Sequence, residues 1–262
     1  MRWFAAMLAV AGLTLVTLSV GALVPGTAQA ADRSPLPVGT HWDYQLGGAR
    51  PVPASVGVVL RDRRATPVRG RYNICYVNAF QTQPDEGRFW RTRQHLILKR
   101  DGRPVVDSAW GEKLLDLRTP AKRRALAHIV GAWMSGCARA GFDAVELDNL
   151  DSFSRSRRLI TPRQTKAYAA LLTRRAHRSG LSVAQKNWPA LDGRRIGFDF
   201  AVAEECARWH ECGAYAAHYG RRVLVVEYRD RDFRRACRNQ GGRLSVLRRD
   251  LTLSRTGVRR WC

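Results

Sequence analysis

A single (β/α)8 barrel of the TIM type, with its active site at the C-terminal ends of the strands, is the fold this sequence predicts. Three observations carry the prediction. Eight apolar runs recur along the chain, several separated by stretches of helical periodicity. Most of the runs are nearly continuous in apolar residues, as strands covered on both faces must be. Polar or charged residues stand where the runs finish, and a barrel gathers such ends on one rim.

Taken in order, residues 41–46 and 55–60 read as the first two strands, joined by too few residues for a full helix, so that this part of the barrel is irregular. Residues 71–78 are the third. A helix follows in which Leu126, Ile129, Val130, Trp133, Met134 and Cys137 fall on one face. The fourth strand lies in the stretch 141–151, which opens on a glycine turn and ends in Glu146, Asp148, Asn149 and Asp151. Residues two apart on a strand share a face, so Glu146 and Asp148 point the same way. Thr161-Pro162 opens the next helix, Tyr168, Leu171 and Leu172 face inward, and Gly180 stops it. Residues 181–187, 198–205, 222–228 and 243–247 supply the remaining strands.

The strand ends carry the chemistry. They finish near Tyr44-Gln45, Asp62, Asn78, Asp148-Asn149, Lys186-Asn187, Glu204-Glu205, Glu227-Tyr228 and Asp250. Between the third and fourth strands runs a long loop with Trp90, Asp107, Trp110, Glu112, Asp116 and Arg118. Rings that stack on the CH faces of sugars, beside acids that bind hydroxyls or amines, suit a carbohydrate platform over the barrel mouth. There is no phosphate-cradling glycine loop, no paired metal histidines and no Gly-x-Ser-x-Gly elbow, so no metal or cofactor is expected.

Residues 1–30 have the pattern of an export signal: Arg2, an apolar run to Val24, and Ala28-Gln29-Ala30 at the cleavage point. The expected product is a secreted barrel over residues 31–262, an uncleaved membrane anchor being the alternative because the apolar run is long. Net charge is +23, from 45 Lys and Arg against 22 Asp and Glu. The basic residues are scattered, with no aromatic-interleaved stripe, so the expectation is association with anionic cell-envelope polymers and no specific nucleic-acid partner. Six cysteines in an exported chain imply disulfides. Cys206 and Cys212 close a small loop after the sixth strand, and Cys237 with Cys262 pins the C-terminus. Cys75 faces the helix holding Cys137, which allows proximity without requiring a bond.

The chain resembles the endo-α-1,4-polygalactosaminidases, glycoside hydrolase family 114. The resemblance rests on Trp42-x-Tyr-Gln-Leu46, Cys75-Tyr-Val, Trp110-Gly-Glu-Lys-Leu-Leu-Asp-Leu-Arg118, Val145-Glu-Leu-Asp-Asn-Leu-Asp151, Gln185-Lys-Asn187, Phe198-Asp-Phe-Ala-Val-Ala-Glu-Glu-Cys206 and Val226-Glu-Tyr228, in family order. Two positions depart from it: Leu147 replaces a usual proline, and Phe142 stands where relatives often have a cysteine, which leaves a bond at Cys75 unassigned. The resemblance implies a barrel that cleaves α-1,4-linked galactosamine polymers, with Asp148 and Glu204 as the catalytic pair. We expect Asp148 to be the nucleophile and Glu204, beside Glu205, the general acid/base. Binding roles then fall to the other rim residues. Trp42, Tyr44, Trp110 and Tyr228 stack on sugar faces. Glu112, Asp116, Asp151, Glu205 and Glu227 hold ammonium or hydroxyl groups, with Gln45, Asn78, Asn149 and Asn187 beside them. Lys186 pairs with an acid and tunes it. A monomer acting on a galactosamine-containing polysaccharide is the expectation; the rival is a catalytically silent glycan-binding protein on the same barrel.

Overall fold

Strands β1 (His41–Gln45), β2 (Val56–Asp62) and β3 (Tyr72–Asn78) pair in parallel, β1 to β2 and β2 to β3, and begin the sheet. Apart from Met1, the computed structural model describes residues 33–262, and the leader expected over residues 1–30 lies outside them. The loop after β3 holds a short helix, α1 (Gly87–Arg91), and two hairpins: β4 (Lys99–Arg100) with β5 (Arg103–Pro104), and β6 (Val106–Asp107) with β7 (Glu112–Lys113). Then come α2 (Pro120–Ala140), β8 (Ala144–Asp148), α3 (Pro162–Arg178), β9 (Ser182–Lys186) and β10 (Phe200–Glu204). The chain finishes with α4 (Cys212–Tyr219), β11 (Val223–Glu227), α5 (Asp230–Gln240), β12 (Ser245–Arg249) and β13 (Arg259–Trp261).

The sheet order is β1-β2-β3-β8-β9-β10-β11-β12-β13, so the eight predicted strands lie side by side and in parallel. The antiparallel ninth strand, β13, is an addition to the prediction. Side chains rather than a strand ladder close the barrel between β12 and β1. Trp42 Nε1 donates to the carbonyls of Val225 (3.2 Å) and Ser245 (3.1 Å), Ser245 Oγ to Thr40 O, Arg249 to Tyr44 O, and Trp261 Nε1 to Trp42 O. The helical layer is thinner than a full (β/α)8 pattern requires. Among the described residues no helix joins β1 to β2 or β2 to β3, and only a 3-10 turn, Gly193–Ile196, joins β9 to β10.

The period-2 alternation of the strands divides the core into two shells. Trp42, Tyr44, Ile74, Tyr76, Ala144, Ala184, Phe200, Val202, Leu224 and Val226 fill the barrel interior. Their neighbours in sequence, such as Cys75, Val77, Val145, Leu147, Val183 and Ala203, pack outward against the helices. Local chemistry fixes the helix ends. Thr119 caps α2 by accepting from Lys122 N, Pro120 takes the first turn, and Gly141 ends the helix at φ 93°, which favours glycine. Thr161 and Gln164 form a reciprocal capping box on α3.

Three disulfides join Cys75 to Cys137, Cys206 to Cys212 and Cys237 to Cys262. The first resolves the open pair: alternation turns Cys75 out of β3 onto the inner face of α2. It spans 62 residues and so constrains the unfolded chain most. The double variant Cys75→Ala/Cys137→Ala is expected to lose about 2–5 kcal/mol in denaturant unfolding. An unchanged midpoint would mean that the cross-link contributes nothing.

Candidate active site

The inward-facing residues at the strand ends meet in a cleft of about 350 Å³. At its floor stands Lys186, the last residue of β9, buried to 2 % exposure. Its Nζ lies 2.9 Å from Asp148 Oδ1, 3.1 Å from Glu146 Oε1 and 3.4 Å from Glu204 Oε2. It also donates to the Tyr44 hydroxyl at 3.0 Å. One ammonium thus ties together the ends of β8, β9 and β10, and Glu146 and Asp148 share a face as the alternation requires.

Each of the two upper carboxylates has its own second support. The Tyr76 hydroxyl donates to Asp148 Oδ2 at 2.7 Å, and the Tyr228 hydroxyl donates to Glu204 Oε1. Asn187 Nδ2 reaches Glu204 Oε2 at 3.4 Å, while Asn187 Oδ1 accepts from the Glu204 backbone N at 3.0 Å. Asn149, Asn187 and Glu205, each directly after one of the three functional strand ends, adopt left-handed φ of 64°, 54° and 53°. Such a conformation is sparsely populated by non-glycine residues, asparagine excepted in part. It turns the chain away from the barrel just after Asp148, Lys186 and Glu204.

The loop between β3 and α2 builds one wall. Glu112 Oε2 accepts from Asn78 Nδ2 (2.9 Å) and Asn149 Nδ2 (3.3 Å), and Arg155 ties Asp107 to Asp151 at 2.6 and 3.1 Å. Trp110 stands half exposed at the rim, and Leu46 and the stretch Leu251, Thr252 and Leu253 also line the cleft. Asp107, Glu112, Asp148, Asp151 and Glu204 outnumber Arg155 and Lys186, so an acidic cleft opens in a strongly basic chain.

Burial and charge set the ionisation states. Burial pushes the Glu146 carboxyl up to about 7, Asp148 and Glu204 adding to the push while Lys186 opposes it. Burial likewise raises Glu112 to about 7, helped by Asp148 and Asp107. Burial would raise Asp148 too, but the Lys186 charge and the Tyr76 hydrogen bond outweigh it and hold the carboxyl below its ordinary value. Lys186 has the opposite balance. Burial lowers it, and its three carboxylates raise it well above the lysine range. At neutral pH Asp148 is an anion beside a cation, while Glu112 and Glu146, each raised to about 7, are partly protonated.

Of the expected site residues, Tyr44, Trp110, Glu112, Asp148, Asn149, Asp151, Lys186, Asn187, Glu204 and Tyr228 line the cleft. Asn78 lies behind it and holds Glu112 and Asn149. Five others do not reach it. Trp42 sits one layer below Tyr44 on the same strand face and is wholly buried. Gln45 is out of phase with Tyr44 and bonds Asp43 at 2.7 Å. Asp116 is locked by Arg118 (2.8 Å) and Lys122 (2.6 Å) at the start of α2. Glu205 turns outward to Arg208, and Glu227, out of phase with Tyr228, lies buried where its Oε1 accepts from Ala207 N at 2.7 Å. Two further lining residues, Tyr76 and Arg155, are not among the residues the sequence points to. Tyr76 was findable as the inward residue two before Asn78; Arg155 arrives on the 3-10 turn Ser152–Arg155, which no periodicity announces.

A parallel barrel whose rim holds two buried-edge carboxylates on a shared ammonium, inside an acid-lined and aromatic-edged cleft, is that of a sugar-cleaving hydrolase. The profile of Glycoside-hydrolase family GH114 matches residues 24–262, and the chain belongs to that family and is a glycoside hydrolase. Among solved structures it is similar to Aspergillus fumigatus Ega3, crystallised in complex with galactosamine, with a TM-score of 0.72 at 20 % identity over 90 % of this chain and 100 % of that one. It is also similar to the glycoside hydrolase domain of PelA from Pseudomonas aeruginosa, with a TM-score of 0.56 at 15 % identity over 83 % and 97 % of the two chains. These likenesses speak for the fold. No curated protein matches the chain by sequence.

The buried glutamates make stability depend on pH in a stated direction. Glu227, pushed up to about 7 by burial, binds its proton in the folded state while the unfolded carboxyl has released it. A raised folded pKa gives stability that is full below about 4.5 and lost as pH rises through about 7. Glu227→Gln is therefore expected to gain on the order of 1–3 kcal/mol over wild type at pH 8 and little at pH 4.5, read by thermal unfolding across that range. An equal change at both ends would mean that ionisation of Glu227 is not the cause.

Proposed function

We propose that the protein is a secreted, endo-acting hydrolase of α-1,4-linked galactosamine polysaccharide that works as a monomer by a retaining, two-carboxylate mechanism. The observation that carries this reading is the Lys186 ammonium between Asp148 and Glu204. It holds Asp148 ionised, as a nucleophile must be, and limits the gap between the nearest oxygens to the sum of 2.9 and 3.4 Å. A retaining pair, with carboxyl groups about 5–5.5 Å apart, fits within that limit, so direct attack by the carboxylate is compatible with it.

In the first step Glu204 gives its proton to the glycosidic oxygen, the C1–O bond breaks, and Asp148 forms an ester to C1. In the second, Glu204 takes a proton from water, the water oxygen bonds C1, and the Asp148 carboxylate leaves. Glu204 is the more accessible of the two, at 27 % side-chain exposure against 15 %, as a group that must meet both leaving oxygen and water should be. Glu112 and Asp151 supply carboxyl oxygens for sugar ammonium groups, with the buried Asp107 held behind them by Arg155. They act at contact distance, whereas the repulsion of a polycation by the basic exterior is screened over about 8 Å at physiological salt. Trp110 and Leu251, 55 % and 56 % exposed, leave the cleft without a cover, which suits binding inside a long chain. Three disulfides and the export pattern of residues 1–30 favour secretion. Among the described residues no helix is long and apolar enough to cross a membrane.

The test is reducing-end release from α-1,4-galactosamine oligomers graded in acetylation. Release is expected to be greatest for the unacetylated chain and lost in Glu204→Gln. Saturable binding without release by wild type would replace this reading with a silent glycan-binding barrel.

A further inference from the structure

Beside the catalytic cleft lies a second cavity of about 490 Å³, whose charge is opposite. Arg100 and Arg103, from the β4–β5 hairpin, and Arg157 line it together with Asp101, Pro104 and Val105. The two linings come within two residues of each other on both segments of chain. Val105 borders this one and Asp107 the cleft; Arg157 borders this one and Arg155 the cleft. Arg155 is occupied by Asp107 and Asp151, but among the described residues the three outer guanidiniums have only Asp101 as an acidic partner, 3.9 Å from Arg100 and 92 % exposed. A pair so exposed contributes little. Arg157 and Arg158 both hold left-handed φ, 55° and 63°, in a turn pinned by the buried Ser156, whose Oγ accepts from Ile160 N at 3.0 Å. The fold therefore maintains an uncommon conformation at the point where Arg157 joins the other two.

We propose that this cavity is an oxyanion site for an acidic polysaccharide, separate from the chain being cleaved. Three exposed arginines lining one cavity offer guanidinium groups that bind carboxylate or phosphate oxygens by charge-assisted hydrogen bonds. Among the described residues no aromatic side chain lines the cavity, so these offer no platform for a nucleobase, and single-stranded nucleic acid is disfavoured for that reason. The site gives the association with anionic envelope polymers a location next to the acidic cleft. A polyanion held there lies alongside the mouth that takes a cationic glycan. The proposal concerns binding alone and stands whichever glycan the cleft cleaves.

The experiment titrates polygalacturonate against the full chain and against two triple variants that remove equal charge. One is Arg100→Ala/Arg103→Ala/Arg157→Ala. The other is Arg139→Ala/Arg174→Ala/Arg178→Ala, at exposed positions on α2 and α3. At roughly physiological salt the first is expected to weaken binding by about tenfold or more, and the second by less than about twofold. Equal losses in both would overturn the proposal in favour of a diffuse basic surface. A greater loss for single-stranded DNA than for polygalacturonate in the first triple would also overturn it, by making the cavity a nucleic-acid site. Should that triple lose its thermal transition, Arg103→Ala alone, expected to cost about threefold, carries the same comparison.

Discussion

Asp148→Asn is expected to lower turnover of a galactosamine oligomer by on the order of 10⁴-fold, and Glu204→Gln by roughly 10²–10⁴-fold. Asparagine keeps the shape of Asp148 and an oxygen for the Tyr76 hydroxyl, which donates at 2.7 Å, but it has no charge with which to attack C1. Glutamine at position 204 keeps an acceptor for Tyr228 and cannot deliver a proton. The two losses differ in their response to the leaving group. A substrate with a good leaving group needs no protonation, so it restores the first step in Glu204→Gln and not in Asp148→Asn. Azide separates them further. Added to Glu204→Ala it attacks the glycosyl-enzyme and gives a glycosyl azide of the substrate's configuration; added to Asp148→Ala it attacks the substrate itself and gives the inverted one. Wild-type turnover in both conservative variants would sink the assignment, and inverted products throughout would move the mechanism to the inverting class.

The legible part of this architecture was the part that burial on two sides forces on a sequence. β3, β8, β10 and β11 are apolar inward and outward because the interior shell and the helices both cover them. β13 gave no such signal, since Arg259–Trp261 pairs along one edge and its arginines reach Asp43 and Asp230 instead of a core. The two-residue strands of the hairpins are too short to show any period. At the site, strand ends are legible from composition, but which end residues face the cleft depends on the phase of each strand. Trp42, Tyr44, Glu146, Asp148, Lys186, Glu204 and Tyr228 share the inward phase, and Gln45, Glu205 and Glu227 are each one residue out of it. Carrying the alternation of Glu146 and Asp148 to the neighbouring strands would have removed those three and added Tyr76. Height along the strand is the other missing coordinate: Trp42 is in phase and buried because it lies two residues below the rim. Arg155 depends on a loop path, and no periodic rule reaches it.

Lys186→Met is expected to cost about 3–5 kcal/mol of stability and on the order of 10²–10³ in turnover, with the acidic limb of the pH–rate profile moved upward. The ammonium is buried among Glu146, Asp148, Glu204 and the Tyr44 hydroxyl, so its removal leaves like charges with no counter-ion. The signs follow from linkage. Lys186, held well above its ordinary value, contributes stability that is full at neutral pH and is lost only as pH rises through that raised value. Asp148, held low, contributes stability present above about 4 and lost as pH falls through its depressed value. Without the ammonium, burial acts on Asp148 unopposed and its carboxyl rises. The nucleophile then ionises only at higher pH, which moves the acidic limb upward. Glu146, already at about 7, takes up a proton first and limits the damage. Lys186→Met/Glu146→Gln is accordingly expected to recover part of the stability while leaving turnover low, because Glu146 touches the lysine and not the cleft. Thermal unfolding and pH–rate profiles of the two variants check this. An acidic limb left in place by Lys186→Met would mean that the ammonium positions the carboxylates without setting the charge of Asp148.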